Sequence, residues 1–126
     1  MGRIETAIAL VVATVGAIAA GQTLAQSYPT KPIRLVVPLA PAGSTDIVAR
    51  MVGQKFNDAW GQPVIVDNRP GANGVIGTEL LAKAAPDGYT LVHLGASTHV
   101  TNALLVKNLP YDSFKDFAPV ATIQRS

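Results

Sequence analysis

Apolar residues fall into two alternating rhythms along this chain. The lead-in "YPTKP" is extended, because Pro29 and Pro32 exclude helix around them. Behind it "IRLVV" (Ile33 to Val37) is a short, largely apolar run rich in β-branched residues and predicts a buried strand. From Thr45 the spacing turns helical. Val48, Val52, Phe56 and Ala59 share one face, Ile47 and Met51 lie beside it, and Gly61 supplies a C-terminal stop. "PVIVD" (Pro63 to Asp67) is a second strand, followed by the turn-rich "NRPGANG". Val75 to Ala85 is helical, with Ile76, Leu80 and Leu81 facing inward, and "PDG" (Pro86 to Gly88) is a turn. Tyr89 to Leu94 predicts a third strand and Thr98 to Lys107 a third helix. "LPYDSFKDF" is a loop, and "PVATI" (Pro119 to Ile123) starts a fourth strand.

Strand and helix in strict alternation predict an α/β fold whose mostly parallel sheet is flanked by helices, joined by right-handed crossovers. The strands are apolar on both faces, as a sheet covered on both sides requires. There is no internal repeat. The sequence stops at Ser126, just past the fourth apolar run and with no helix to cover it, which predicts a truncated chain or gene fragment.

The segment before Tyr28 follows another logic. Arg3 forms a short positive start, weakened by Glu5, and Ala7 to Ala20 is uncharged and apolar. "TLAQS" then offers small residues for a signal peptidase, with cleavage after Ala25 or after Ser27. Residues 1–27 therefore read as a secretory signal peptide, and residues 28–126 as the folded part. The competing reading is a membrane anchor over Thr6 to Leu24, but that run is rich in Ala and Gly and no positive cluster follows it. No Cys follows the apolar run, which excludes a lipoprotein anchor.

Composition narrows the function classes. The 126 residues are 48% hydrophobic and 14% charged, too apolar for disorder. The net charge of +2 comes from interspersed signs, so there is no basic stripe for nucleic acid. With no Cys there is no disulfide framework and no thiolate metal site, and the two His are not spaced as a metal pair.

In open parallel sheets ligands bind beyond the carboxyl ends of the strands. Three loops are expected there: "PLAPAGSTD", "NRPGANG" and "GASTH". In the first, Gly43 lets the backbone approach a ligand, and Ser44 and Thr45 stand at a helix start, where amides lack partners and the dipole favours negative charge. This composition suits a carboxylate, and it equally suits ordinary helix capping. Asp46 helps the dipole but repels an anion unless its side chain turns away or binds a ligand amine. "GANGVIG" has G-x-x-G-x-x-G spacing rather than a dinucleotide fingerprint, and its glycines shape a turn into a closely packed helix. No phosphate-binding G-x-x-x-x-G-K-[ST] is present, so no cofactor is expected. Ser97 and His99 are not in a nucleophile motif, His93 lies inside a strand, and Phe56 and Trp60 read as packing residues.

Together, "YPTKPIRLVVPLAPAGSTDIVAR", "GQPVIVDNRPGANGVIGTELLAKAAPDGYTL" and "NLPYDSFKDFAPVATI" closely resemble the N-terminal part of the Bug-type extracytoplasmic solute receptors of tripartite tricarboxylate transporters. The resemblance implies one lobe of a periplasmic-binding-protein fold, with the second lobe absent, and a periplasmic location. It implies a small carboxylate as ligand (a di- or tricarboxylate, an acidic amino acid or an aromatic acid), membrane transporter subunits as partners, and no catalysis. Carried onto this chain, the ligand-binding positions are Ala42, Gly43, Ser44, Thr45 and Asp46 in the first loop, Asn73 in the second, and Ala96, Ser97 and Thr98 in the third. The sequence departs from the family's common Gly-Gly at Ala42-Gly43, where a methyl narrows the approach or alters water placement. The alternatives are a non-functional fragment and an α/β enzyme fragment, either a hydrolase or a nucleotide-dependent enzyme.

Overall fold

The computed structural model describes residues 27–123. The expected signal peptide, Ser27 apart, lies outside the described residues. Strand β1 (Ile33–Val37) forms with the bounds the pattern predicts, and it is the central strand of a three-stranded sheet ordered β2-β1-β3. Both neighbours are parallel to it. β2 (Val64–Asn68) pairs along the whole of β1, with Ile33 opposite Val64 and Val37 opposite Asn68. β3 (Thr90–Val92) is shorter than the predicted Tyr89 to Leu94, and its register sets Leu35 opposite Leu91.

Helix α1 (Ser44–Trp60) packs over β1 and β2, and α2 (Val75–Ala82) over β1 and β3. Because β2 and β3 flank β1 on opposite sides, right-handed crossovers place these helices on opposite faces of the sheet. Helix α3 (Ala96–Leu105) follows β3 and begins two residues before the predicted start. β1 is buried except at Arg34: Ile33, Val36 and Val37 are fully buried, and Leu35 and Val37 meet Ala49 of α1 with Leu39, Val64, Val66 and Leu91 packed around them. Each such side chain contributes about 1.5–3 kcal/mol of burial free energy, which makes β1 the best anchored element.

Three packing expectations are corrected. Ala59, expected on the apolar face of α1, is exposed, as are Ile47 and Met51 beside that face, and Val48, Val52 and Phe56 are only half-buried; Asp46, Ala49 and Gly53 are the helix's buried positions. Ile76 and Leu80 likewise point outward, and α2 is buried through Gly77 and Thr78. A Cβ on Gly77 would stand 2.6 Å from Pro38 Cβ and 2.8 Å from the Arg69 carbonyl oxygen, so the helix meets backbone there and large side chains have no room on that face. The predicted fourth strand does not form either. Pro119 to Ile123 has no ladder partner among the described residues, and Val120 is 79% exposed. Apolar β-branched residues become a strand only where a neighbour takes their backbone groups, and the preceding loop is folded back onto α3 by the contact of His99 Nε2 with the Ser113 carbonyl at 2.8 Å.

Candidate anion site at the strand carboxyl ends

The loop after β1 turns into α1 through an unusual backbone. Ala42 has φ +68, the left-handed region that costs a residue with a Cβ about 1–2 kcal/mol. Gly43 returns to an extended conformation as the N-cap, and its carbonyl accepts the first helical bond from Ile47 N–H at 3.0 Å. No side chain caps the helix. The N–H groups of Ser44, Thr45 and Asp46 consequently have no acceptor among the described residues, and they sit at the positive end of a 17-residue helix.

Asp46 does not fill them. Its side chain is almost fully buried and turned away from the helix end. Oδ2 accepts the Ala42 N–H and Arg50 Nε, both at 2.9 Å, and Oδ1 accepts Asn68 Nδ2 at 2.9 Å. The Arg50 bond, then the Ala42 amide, then Asn68 hold its carboxyl at about 2, well below the ordinary 3.8. Arg50 and Asn68 also bond to each other at 3.1 Å, and Asn68 Nδ2 reaches the Leu39 carbonyl at 3.3 Å. The last residue of β2 thus ties down the loop leaving β1.

The second loop is a left-handed turn, with Ala72, Asn73 and Gly74 at φ 47, 51 and 85, closed by Gly74 N–H on the Gly71 carbonyl at 3.0 Å. Asn73 is tied to α3: its amide donates to Asn102 Oδ1 at 3.0 Å, and Asn102 Nδ2 donates to the Asn73 carbonyl at 2.9 Å. Asn102 is only 2% exposed. The third loop enters α3 through Gly95, whose carbonyl accepts His99 N–H at 3.1 Å, and again no side chain caps the helix. Ala96 is exposed at this start, Ser97 follows it in the first turn, and Thr98 is half-buried. A Cβ on Gly74 would lie 3.3 Å from Thr98 Cγ2 and 3.4 Å from the Pro38 carbonyl, so the three loops converge.

Of the positions expected from the sequence, the structure sets Gly43 as the N-cap ahead of the free amides of Ser44, Thr45 and Asp46 and brings Thr98 close to the Asn73–Gly74 turn. It gives Ala42 N–H and the Asp46 carboxylate to each other, and the Asn73 amide to Asn102. Arg50, Asn68 and Asn102 were not anticipated. The i, i+4 spacing of Asp46 and Arg50 is a readable signal, whereas Asn68 and Asn102 act across the fold and leave none. His99 is committed to the Ser113 carbonyl. Among the described residues no group of three or more His, Cys, Asp or Glu could hold a metal, and no helix is long and apolar enough to cross a membrane. A shallow groove lined by Arg50, Gly53, Gln54, Asn57, Pro63, Val64 and Val66 runs between α1 and β2 and does not include the loop amides.

Residues 48–126 match the family described as tripartite tricarboxylate transporter family receptor. The chain belongs to that receptor family. Protein BugT of Bordetella pertussis is 42% identical over 124 residues, covering 98% of this chain and 37% of BugT, so the first loop falls within the match. Among solved structures, MatC of Rhodopseudomonas palustris with bound malate is 39% identical with a TM-score of 0.69, covering 74% of this chain and 32% of that one. A second R. palustris protein, solved with adipate, is 37% identical with a TM-score of 0.64, covering 68% of this chain and 29% of that one. The chain spans about a third of the length of the curated relatives it matches. The sheet with its flanking helices is therefore part of a periplasmic-binding-protein lobe.

Proposed function

We propose that this receptor-family chain binds a small carboxylate at the carboxyl ends of its strands, for uptake or sensing outside the cytoplasm. The observation that carries the reading is the uncapped start of α1, where the Ser44, Thr45 and Asp46 amides converge without an acceptor while the Asp46 side chain is tied off elsewhere. A carboxylate oxygen placed there meets N–H donors, the helix dipole and the Ser44 and Thr45 hydroxyls. Ala96, Ser97 and Thr98 stand at a second uncapped helix start, which favours the far end of the same anion. Gly43 gives the approach, and Ala42 and Asn73 shape the walls. The malate and adipate held by family members make a dicarboxylate the first class to test. The work is binding, without a covalent step.

The remaining parts of the reading are an export signal over residues 1–27, cleaved after Ala25 or Ser27, a periplasmic location, and membrane transporter subunits as partners. Mass analysis of the mature N-terminus after secretion tests the first of these.

The direct test is a titration of the isotope-labelled chain with malate, adipate and citrate, followed at the backbone amides. The expected result is a saturable shift of Ser44, Thr45 and Asp46, joined by Ala96 and Thr98, and none with nucleotides. A carboxylate response elsewhere, or none at millimolar ligand, overturns the assignment.

A further inference from the structure

An acidic residue in the first turn of a helix ordinarily competes for the free amides at that end: in a capping box its side chain reaches back to the N-cap amide. Asp46 holds that position, yet its carboxylate passes over Gly43 and accepts the N–H of Ala42 instead. Arg50 and Asn68 occupy the rest of its acceptor capacity, and Arg50 matches its charge. Two consequences follow at once. The carboxylate cannot cap its own helix, so the amides remain open, and the residue it grips is the one with left-handed backbone, Ala42 at φ +68.

We propose that Asp46 is a positioning residue of the anion site rather than a ligand contact: by bonding the Ala42 N–H it holds the strained turn that presents the Ser44, Thr45 and Asp46 amides. The proposal rests on the carboxylate reading above. The clamp is assembled from both sides of the crossover, since Asn68 ends β2 and also reaches the Leu39 carbonyl in the same loop. It supplies what the Ala42 backbone lacks, because alanine has no intrinsic preference for the left-handed region that glycine adopts freely.

The test compares four forms of the full chain: wild type, Asp46→Asn, Asp46→Asn with Ala42→Gly, and Arg34→Gln. The last breaks the Arg34–Asp67 pair between β1 and β2, which makes none of the hydrogen bonds of the Asp46 clamp, and serves as a destabilised control. Two readouts are taken at a temperature where all four are folded: hydrogen exchange of the Ala42 amide, and malate or adipate affinity from amide shifts. The expected result for Asp46→Asn is a loss of Ala42 protection and a fall in affinity of about tenfold, the order associated with losing one charge-assisted bond. The Ala42→Gly addition is expected to restore part of that affinity, because glycine removes the strain the clamp opposes. Arg34→Gln is expected to melt earlier with wild-type affinity. Wild-type chain that binds no carboxylate overturns the functional reading itself. Wild-type binding with undiminished affinity in Asp46→Asn, or loss in Asp46→Asn that glycine at position 42 leaves uncorrected, overturns the positioning role and leaves that reading standing. Should Asp46→Asn not fold, the Ala42→Gly single variant decides: slow Ala42 exchange in wild type with equal or better affinity in the glycine form supports the clamp, and unprotected Ala42 in wild type overturns it.

Discussion

Gly77 and Pro38 touch backbone to backbone: a Cβ on Gly77 would stand 2.8 Å from Pro38 Cα and 2.6 Å from its Cβ. This contact presses the start of α2 onto the end of β1 and so fixes the second loop beside the first. Gly77→Ala gains helix propensity of about 1 kcal/mol but forces backbone apart on both the Pro38 and Arg69 sides. Overpacking of this kind costs about 1–3 kcal/mol, and with main-chain atoms as obstacles the upper end applies. Denaturant unfolding is expected to show net destabilisation, and a neutral result would mean α2 can ride outward freely.

Ala42 offers the opposite experiment. Its φ of +68 costs about 1–2 kcal/mol against glycine, while glycine loses more chain entropy on folding, about 0.4–1 kcal/mol. The balance predicts that Ala42→Gly stabilises by about 0.5–1 kcal/mol. Equilibrium unfolding checks this, and a destabilised variant would show that the loop does not hold the left-handed turn in solution.

How much of this was legible beforehand depended on the range of the interaction. β1 was readable to the residue, because Ile33, Leu35, Val36 and Val37 form a short apolar run that needs cover on both faces, whatever surrounds it. α1 was readable as a helix but not by its buried face. Periodicity weighs the large apolar Ile47 and Met51, whereas close approach to the sheet selects Ala49 and Gly53, and Gly53 comes within 3.4 Å of Val64 when given a Cβ. "PVATI" has the composition of a strand, but pairing is a property of the neighbour and not of the segment. At the site, the glycine, hydroxyls and helix start were visible in "PAGSTD". The tie from Asp46 to Asn68 was not, because 22 residues and a crossover separate the two.

Acid should probe that tie. The Asp46 carboxyl is held at about 2 against 3.8 for the free group, chiefly by its Arg50, Ala42 and Asn68 bonds. A carboxyl lowered in the folded state contributes stability that is complete above the unfolded value and disappears as the pH falls through the folded one. The melting temperature is therefore expected to drop between about pH 4 and pH 2, with Asp46→Asn showing a shallower fall over the same window. Asp67 is lowered as well, its burial outweighed by Arg34 and Arg69, so some slope will survive the substitution. Identical slopes in the two proteins would sink the assignment of the effect to Asp46.

Asn102 carries the last expectation. It lies within α3, is nearly inaccessible, and both accepts from the Asn73 amide and donates to the Asn73 carbonyl. Replacement by Leu fills similar volume but leaves the Asn73 groups without their partner, and an unsatisfied buried polar group costs about 1–3 kcal/mol. Asn73 is itself exposed, so water can reach part of what is lost, which favours the lower half of that range. The local consequence should exceed the global one. With Ala72 and Asn73 both at positive φ, the turn holds its shape against intrinsic backbone preference, and Asn102 is the side chain that bridges it to α3. Hydrogen exchange is expected to accelerate at Gly74, whose N–H closes the turn on Gly71, more than at the β1 amides. Uniform acceleration across the sheet would instead show that the Asn pair supports the whole fold and not the second loop.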